Sequence, residues 1–378
     1  MLSRNDLNTT SRFSIVAPLS SVSKRTRLYK LAIFLYENGV KSIEHVGWER
    51  IEGERKETEL PFVIGKKIVQ TGGGYGGSKI KLMYFTWMIK LFFKSFSFKE
   101  GQTVWALGFE SAFPLLLASK IKGFKLYFDD ADRFSMLFNF PKPAKLLMQF
   151  CEKVTSRNVY KHVIPVQERY DFNSSKFYIL QNTPSASEIE KAKEITKTKD
   201  WIKASVVINI NGWLGAGRGM KTALDVCNTL EGKDIAFILV GKLDCPEAKE
   251  LAQKDNVQYL GEVSNADALS SYLASDFVFT YYNPSSIINT LAASNKWGDA
   301  IKTGIGVIVN NEVITANYLH EAGASVSFPY DNVVDLSSSI SEYISDPSKI
   351  EEIKKNSKNI SEEFGYFEEQ LEKLLYEN

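Results

Sequence analysis

Ser205–Ile210 is a short β-branched run that stops in Asn211-Gly212-Trp213-Leu214-Gly215-Ala216-Gly217-Arg218-Gly219, and a helical pattern then runs from Met220 through Leu230. Strand, glycine-rich loop and helix in this order read as one turn of an α/β fold. The glycines let main-chain N–H groups approach an anion, and the helix N-terminus adds partial positive charge. Arg218 brings a planar fork suited to phosphate oxygens. The loop is not a P-loop, because no Gly-Lys-Ser/Thr follows. The spacing Gly212-x-x-Gly215-x-Gly217 also misses the dinucleotide fingerprint, and no acid closes a following strand about 20 residues on. Hydride-transfer chemistry is therefore disfavoured.

A second stretch adds a complementary feature. Asn295-Lys296-Trp297-Gly298-Asp299-Ala300 reads as a helix start, Gly304 as its positive-φ stop, and Val307-Ile308-Val309 as a buried strand. Positions i and i+3 share a helix face, so Lys296 and Asp299 can address one bound group. Ammonium to phosphate and carboxylate to ribose hydroxyls would suit a nucleotide. Taken alone, the pair reads equally as an ordinary surface ion pair.

Five signatures follow one another in order: Arg218-Gly219, then Val240-Gly241, then Val257-Gln258-Tyr259-Leu260-Gly261-Glu262-Val263, then Asp276 to Pro284, then Lys296 to Val307. This half of the chain resembles the donor domain of GT-B glycosyltransferases of the family 4 type. The N-terminal half is similar to the same family more loosely. Phe13 to Ala17 reads as a first strand, Arg25-Thr26-Arg27 leads a helix to Glu37-Asn38-Gly39, and Trp48-Glu49-Arg50 closes the second strand. Gly108-Phe109-Glu110-Ser111 lies between a strand ending at Leu107 and an apolar helix. Three departures stand out. The β-to-α loop lacks the His many members carry, Pro18-Leu19-Ser20-Ser21 replaces a Gly pair, and the first of two acids spaced eight apart falls on Leu291, the second being Asp299.

The resemblance implies an α/β protein with two doubly wound, Rossmann-like domains facing across a cleft. Residues 1–184 would form the acceptor domain and 185–355 the nucleotide-sugar domain. A helix over 356–378 would pack back on the first domain. It implies Arg218, Lys296 and Glu110 as catalytic candidates. Donor contacts would come from Gly212, Gly215, Gly217, Gly219, Gly241, Asn283 and Asp299, and acceptor contacts from Arg25, Arg27 and Asp130. The donor is a nucleotide-sugar co-substrate, with no cofactor and no metal. The implied reaction retains anomeric configuration and builds bacterial-type surface polysaccharide on a saccharide or lipid-linked acceptor. Two rivals share parts of this pattern: a sugar-nucleotide 2-epimerase and a non-catalytic nucleotide- or saccharide-binding relative.

Composition narrows the classes. A chain of 378 residues exceeds the size at which one core stops growing, so two domains are expected. Lys+Arg 46 against Asp+Glu 45 leaves a formal charge of +1, which argues against a dedicated nucleic-acid binder. Cys151, Cys227 and Cys245 have neither disulfide nor zinc spacing, and the polar first residues lack a signal-peptide core. The expected compartment is the cytoplasm, at the inner face of the plasma membrane if the acceptor is lipid-linked. Asp130-Ala131-Asp132 matches the metal motif of the other glycosyltransferase architecture, but the donor signatures favour Arg and Lys in the ion's place.

Lys79 to Lys99 is unlike the rest of the chain, rich in aromatic and aliphatic residues with five lysines and no acid. Lys90 and Lys94 interrupt it, so no uncharged run is long enough to span a bilayer. It reads either as a core helix with snorkelling lysines or as a peripheral patch on anionic membrane.

Overall fold

Parallel strands covered on both faces read as near-continuous apolar runs, and Val104-Trp105-Ala106-Leu107 and Ile235–Val240 are of that kind. The computed structural model describes residues 12–54, 60–76, 79–137 and 140–376. The signal-peptide reading at the N-terminus lies outside the described residues. The chain divides into two compact units. One extends to Gln181 and takes in the stretch from Glu368; the other is Asn182–Phe367.

The first unit is built on a parallel sheet of β1 (Arg12–Ala17), β2 (Ser42–Glu49), β3 (Gly65–Thr71), β4 (Thr103–Leu107), β5 (Lys125–Asp129), β6 (Lys161–Ile164) and β7 (Phe177–Ile179), in the order β3-β2-β1-β4-β5-β6-β7. The second has β8 (Val206–Asn211), β9 (Ile235–Val240), β10 (Val257–Tyr259), β11 (Phe277–Thr280), β12 (Gly306–Asn310) and β13 (Ser325–Phe328), also parallel, in the order β10-β9-β8-β11-β12-β13. Each order reverses direction once, between β1 and β4 and between β8 and β11. A sheet of this kind opens a crevice at the carboxyl ends of its strands at that switch point. The loops after β1 and β4, and after β8 and β11, therefore carry the groups of interest.

Two sequence expectations meet a different local structure. The helix expected over 356–378 falls, among the described residues, on parts of two helices, Ser348–Ser361 and Phe367–Tyr376. Between them Gly365 offers its carbonyl to the Thr183 hydroxyl at 3.0 Å, and Phe367 N–H donates to Pro184. Those bonds to another segment replace the helical ladder. The second helix buries Leu371 and Leu374 and is tied by the Tyr178 hydroxyl and Gln181 N–H to Gln370, both at 2.8 Å. The aromatic Lys79–Ser95 helix is partly core and partly bare. Trp87 and Leu91 are buried, with the Trp87 indole donating to Ser111, whereas Phe85, Ile89 and Phe93 are exposed.

Candidate active site

In the second unit the glycine-rich loop lies against the loop after β9. Gly212 N–H donates to Val240 at 2.8 Å and Leu214 N–H to Lys242 at 3.0 Å. The backbones approach so closely that a Cβ on Gly241, at φ 118°, would stand 1.9 Å from the Gly212 carbonyl oxygen. Only glycine fits there. One 3₁₀ turn, Ala216–Arg218, then leads through Gly219 at φ 69° into the Met220–Thr229 helix. A side chain at Gly219 would strike Tyr281 Cβ at 2.5 Å. Gly215 is similarly pressed by the Trp213 ring, whereas Gly217 faces open space.

Two cations converge on this loop. The Arg218 guanidinium sits 4.5 Å from the Tyr282 ring centroid and 5.8 Å from the Trp213 ring. The Lys296 ammonium sits 6.0 Å from the Tyr282 ring centroid, and 3.5 Å from where a Cβ on Gly212 would be. Among the described residues, no carboxylate forms an ion pair with either. Tyr282 is buried and its hydroxyl lies 2.7 Å from Ser294 Oγ. Ser294 in turn caps the Asn295–Thr303 helix by accepting the Lys296 N–H. Burial alone would raise the Tyr282 hydroxyl pKa; Lys296, Arg218 and the Ser294 hydrogen bond outweigh it and leave it below the ordinary tyrosine value.

The position of Tyr282 is fixed from the neighbouring strand. Its N–H donates to Asn310 Oδ1 at 2.8 Å and its carbonyl accepts from Asn310 Nδ2 at 3.1 Å. Asn310 also donates to Glu312 at 2.7 Å, and Glu312 accepts the Tyr330 N–H. Burial would raise the Glu312 carboxyl, but these hydrogen bonds hold it below its usual range. Asp299, one turn beyond Lys296, acts on the buried Tyr272, whose hydroxyl is raised first by burial and then by the Asp299 charge. The Asn211 amide at the end of β8 lies 3.4 Å from that hydroxyl. The Trp297 indole bonds Thr280 at 3.0 Å, and Gly304 ends the helix at φ 73°. Asn283 links the loops, its N–H donating to Gly217 while its side chain accepts the Ser285 N–H. Leu291, where the resemblance would set a carboxylate, is buried.

Sequence reasoning missed Tyr282, Asn310 and Glu312. The available signal was Tyr281-Tyr282-Asn283-Pro284, polar and aromatic, immediately beyond β11.

In the first unit, Glu110 follows β4 and is 7% exposed. Its carboxylate folds back over Gly108, where a Cβ would come within 2.6 Å of Oε2. Burial, with the Asp130 charge adding to it, pushes its pKa up to about 8 against the pull of Arg50 and Arg25. Arg50 is clasped by the rings of Trp48 at 4.3 Å, Tyr84 at 5.1 Å and Tyr75 at 5.2 Å, and donates to the Tyr84 hydroxyl and the Pro18 carbonyl. Arg25 is 56% exposed and 3.9 Å from Asp132.

Two acceptor candidates are buried and engaged within the unit. Arg27 is buried, bonded to both Asp129 oxygens at 2.9 and 3.0 Å and to the Leu180 carbonyl. From the first turn of the Thr26–Glu37 helix it bridges to the end of β5, so it holds the fold together. Asp130 is fully buried, accepting from the Tyr170 hydroxyl at 2.7 Å and lying 3.7 Å from His162 Nε2. Asp132 points elsewhere, toward Arg25 and Arg169. Among the described residues, no group of three His, Cys, Asp or Glu side chains is placed to hold a metal ion.

No protein-family model matches this chain, and no curated protein sequence does. Its architecture does have relatives of known structure. Sucrose-phosphate synthase from Thermosynechococcus elongatus superposes with a TM-score of 0.66 at 11% identity, over 96% of this chain and 98% of that one. WaaG, a glycosyltransferase involved in lipopolysaccharide biosynthesis, gives 0.62 at 14% identity, over 96% and 99%. Anabaena HepE, solved in complex with UDP, gives 0.63 at 13% identity, over 96% and 99%. With two parallel doubly wound sheets in these strand orders, the chain has the fold of the GT-B glycosyltransferases.

Proposed function

We propose that the protein is a glycosyltransferase of the family 4 type that moves a sugar from a nucleotide-sugar donor to a saccharide or lipid-linked acceptor. The observation that carries this reading is the pair Arg218 and Lys296, one cation from the glycine-rich loop and one from the Asn295–Thr303 helix, both near the Tyr282 ring and with no carboxylate partner among the described residues. Such an arrangement suits a diphosphate, and the relative HepE was solved with UDP and with UDP-glucose. The donor's anomeric C–O bond to phosphate breaks while an acceptor hydroxyl forms the new C–O bond on the same face, its proton passing to the departing phosphate oxygen, and configuration is retained. Arg218 and Lys296 neutralise charge growing on the departing diphosphate, the charge a divalent ion would otherwise balance. Asp299 holds the ribose. Glu110 and Arg25 meet the acceptor in the first unit. The reaction would serve surface polysaccharide assembly, in the cytoplasm.

The test is thermal stabilisation by a panel of nucleoside diphosphates and sugar nucleotides, with and without EDTA. One sugar nucleotide should stabilise the wild type by about 2.7 kcal/mol at a hundredfold excess over Kd, equally in EDTA, and Lys296→Ala should lose most of that gain. A shift that disappears with chelation and returns with magnesium would overturn the metal-free reading. No shift with any nucleotide would overturn the donor reading itself.

A further inference from the structure

We infer that the outer face formed by three helices of the first unit, Lys79–Ser95, Phe109–Lys122 and Lys142–Asn158, is a docking surface for an anionic lipid bilayer. The first helix leaves Phe85, Ile89 and Phe93 exposed, Phe93 at 71%. The second adds Leu117 and Ile121. From the third come Leu146, Leu147 and Phe150, the last at 63%. The three are contiguous, because Phe92, Phe113, Leu117, Lys120, Val154 and Asn158 line one open groove of about 480 Å³. Apolar side chains clustered in this way mark an interaction site more than chance exposure.

Charge selects the occupant. The acids within these helices are Glu110 and Glu152, and both are buried, while Lys81, Lys90, Lys120, Lys122, Lys142 and Arg157 are exposed. The whole chain carries a formal charge of only +1, so the positive charge is concentrated here. A two-fold pairing with a second copy would set this cationic face against itself. An anionic headgroup layer satisfies both features at once, taking the cations at its surface and the aliphatic and aromatic side chains at the acyl boundary. Among the described residues no helix is long and apolar enough to cross a membrane, so the contact is peripheral. Lys94 is half-buried, bonded to Ser97 at 3.0 Å and 3.9 Å from Glu44, and belongs to the fold more than to this face.

Co-sedimentation of the full chain with vesicles tests this, using phosphatidylcholine alone or mixed with phosphatidylglycerol, at low and high salt. No donor is present, so the result is independent of the nucleotide reading. Wild-type protein should bind the mixed vesicles, more weakly in high salt. Lys90→Glu/Lys120→Glu/Lys122→Glu should weaken binding at least about tenfold. Phe93→Ser/Phe150→Ser should weaken it at both salt concentrations. Both variants should melt at the wild-type temperature. Absence of binding to mixed vesicles, or binding that neither variant changes, overturns the proposal. Concentration-dependent self-association that Phe93→Ser/Phe150→Ser abolishes, without vesicle binding, would assign the face to a second copy instead.

Discussion

The two units share the strand order of a doubly wound sheet, and one set of cations in each stands in contrasting surroundings. In the first, Arg27 lies on Asp129 at 2.9 Å, Arg133 on Glu152 and Asp171 at 2.9 and 2.8 Å, and Lys24 on Glu54 at 2.5 Å. In the second, Arg218 and Lys296 rest against the Tyr282 ring. A guanidinium paired with a buried carboxylate holds the fold, because removing it strands the partner's charge. A cation set on an aromatic face keeps its charge available to a ligand. The same side chain is thus structural at Arg27 and available to a ligand at Arg218, according to what stands beside it.

The largest effects should come from exchanging these roles by mutation. Lys296→Ala should slow sugar transfer by roughly 10²- to 10³-fold, the scale of losing one preorganised donor, with little change in urea midpoint. Arg27→Ala should do the reverse, costing about 3–5 kcal/mol of stability by leaving Asp129 buried without its cation. Steady-state rates and urea melts on both variants separate the cases. A folded Lys296→Ala protein turning over at the wild-type rate, or an Arg27→Ala protein as stable as the parent, would collapse the contrast.

A smaller effect concerns Glu110, whose pKa is raised from an ordinary 4.5 to about 8. Between those values the folded protein holds a proton that the unfolded chain has released. Stability is therefore greatest below the lower value and falls as pH rises to the upper one, by up to about 1.4 kcal/mol per pH unit. Glu110→Gln should flatten that slope. Urea melts across the window give the answer, and identical slopes for both proteins would mean that Glu110 is ionised in the fold.

Much of this architecture can be read from residues alone, for identifiable reasons. Continuous apolar runs mark β4, β9 and β12, since covered parallel strands need them on both faces, and Gly304 marks a helix end because the chain must turn left-handed there. What escaped depends on partners remote in sequence. Arg25 and Arg27 look equivalent in the chain, yet one precedes the helix and stays exposed while the other turns inward to Asp129. Asp130 stands in an Asp-x-Asp pattern, and nothing in the chain announces its bond to Tyr170, forty residues on. The link from Tyr282 to Asn310 and Glu312 depends on the parallel pairing of β11 with β12, which sets Thr280 opposite Val309.

The subtlest consequence of the contrast belongs to Tyr282. If its ring orients the two cations, Tyr282→Leu should lower kcat by roughly fivefold, the equivalent of about 1 kcal/mol of lost cation–π contact, while Tyr282→Phe keeps the ring and most of the rate at neutral pH. The hydroxyl adds a signature that a purely structural side chain would lack. Lys296 and Arg218 hold it below the ordinary tyrosine pKa of 10.0 despite burial, so raising the pH ionises it earlier than an exposed tyrosine. The resulting phenolate would attract both cations, competing for them with the diphosphate. Wild-type turnover should therefore fall on the alkaline side, and Tyr282→Phe, which has no proton to lose, should hold its rate to higher pH. An alkaline limb unchanged in Tyr282→Phe, together with full activity in Tyr282→Leu, would make the ring mere packing and leave Arg218 and Lys296 oriented by their own loops.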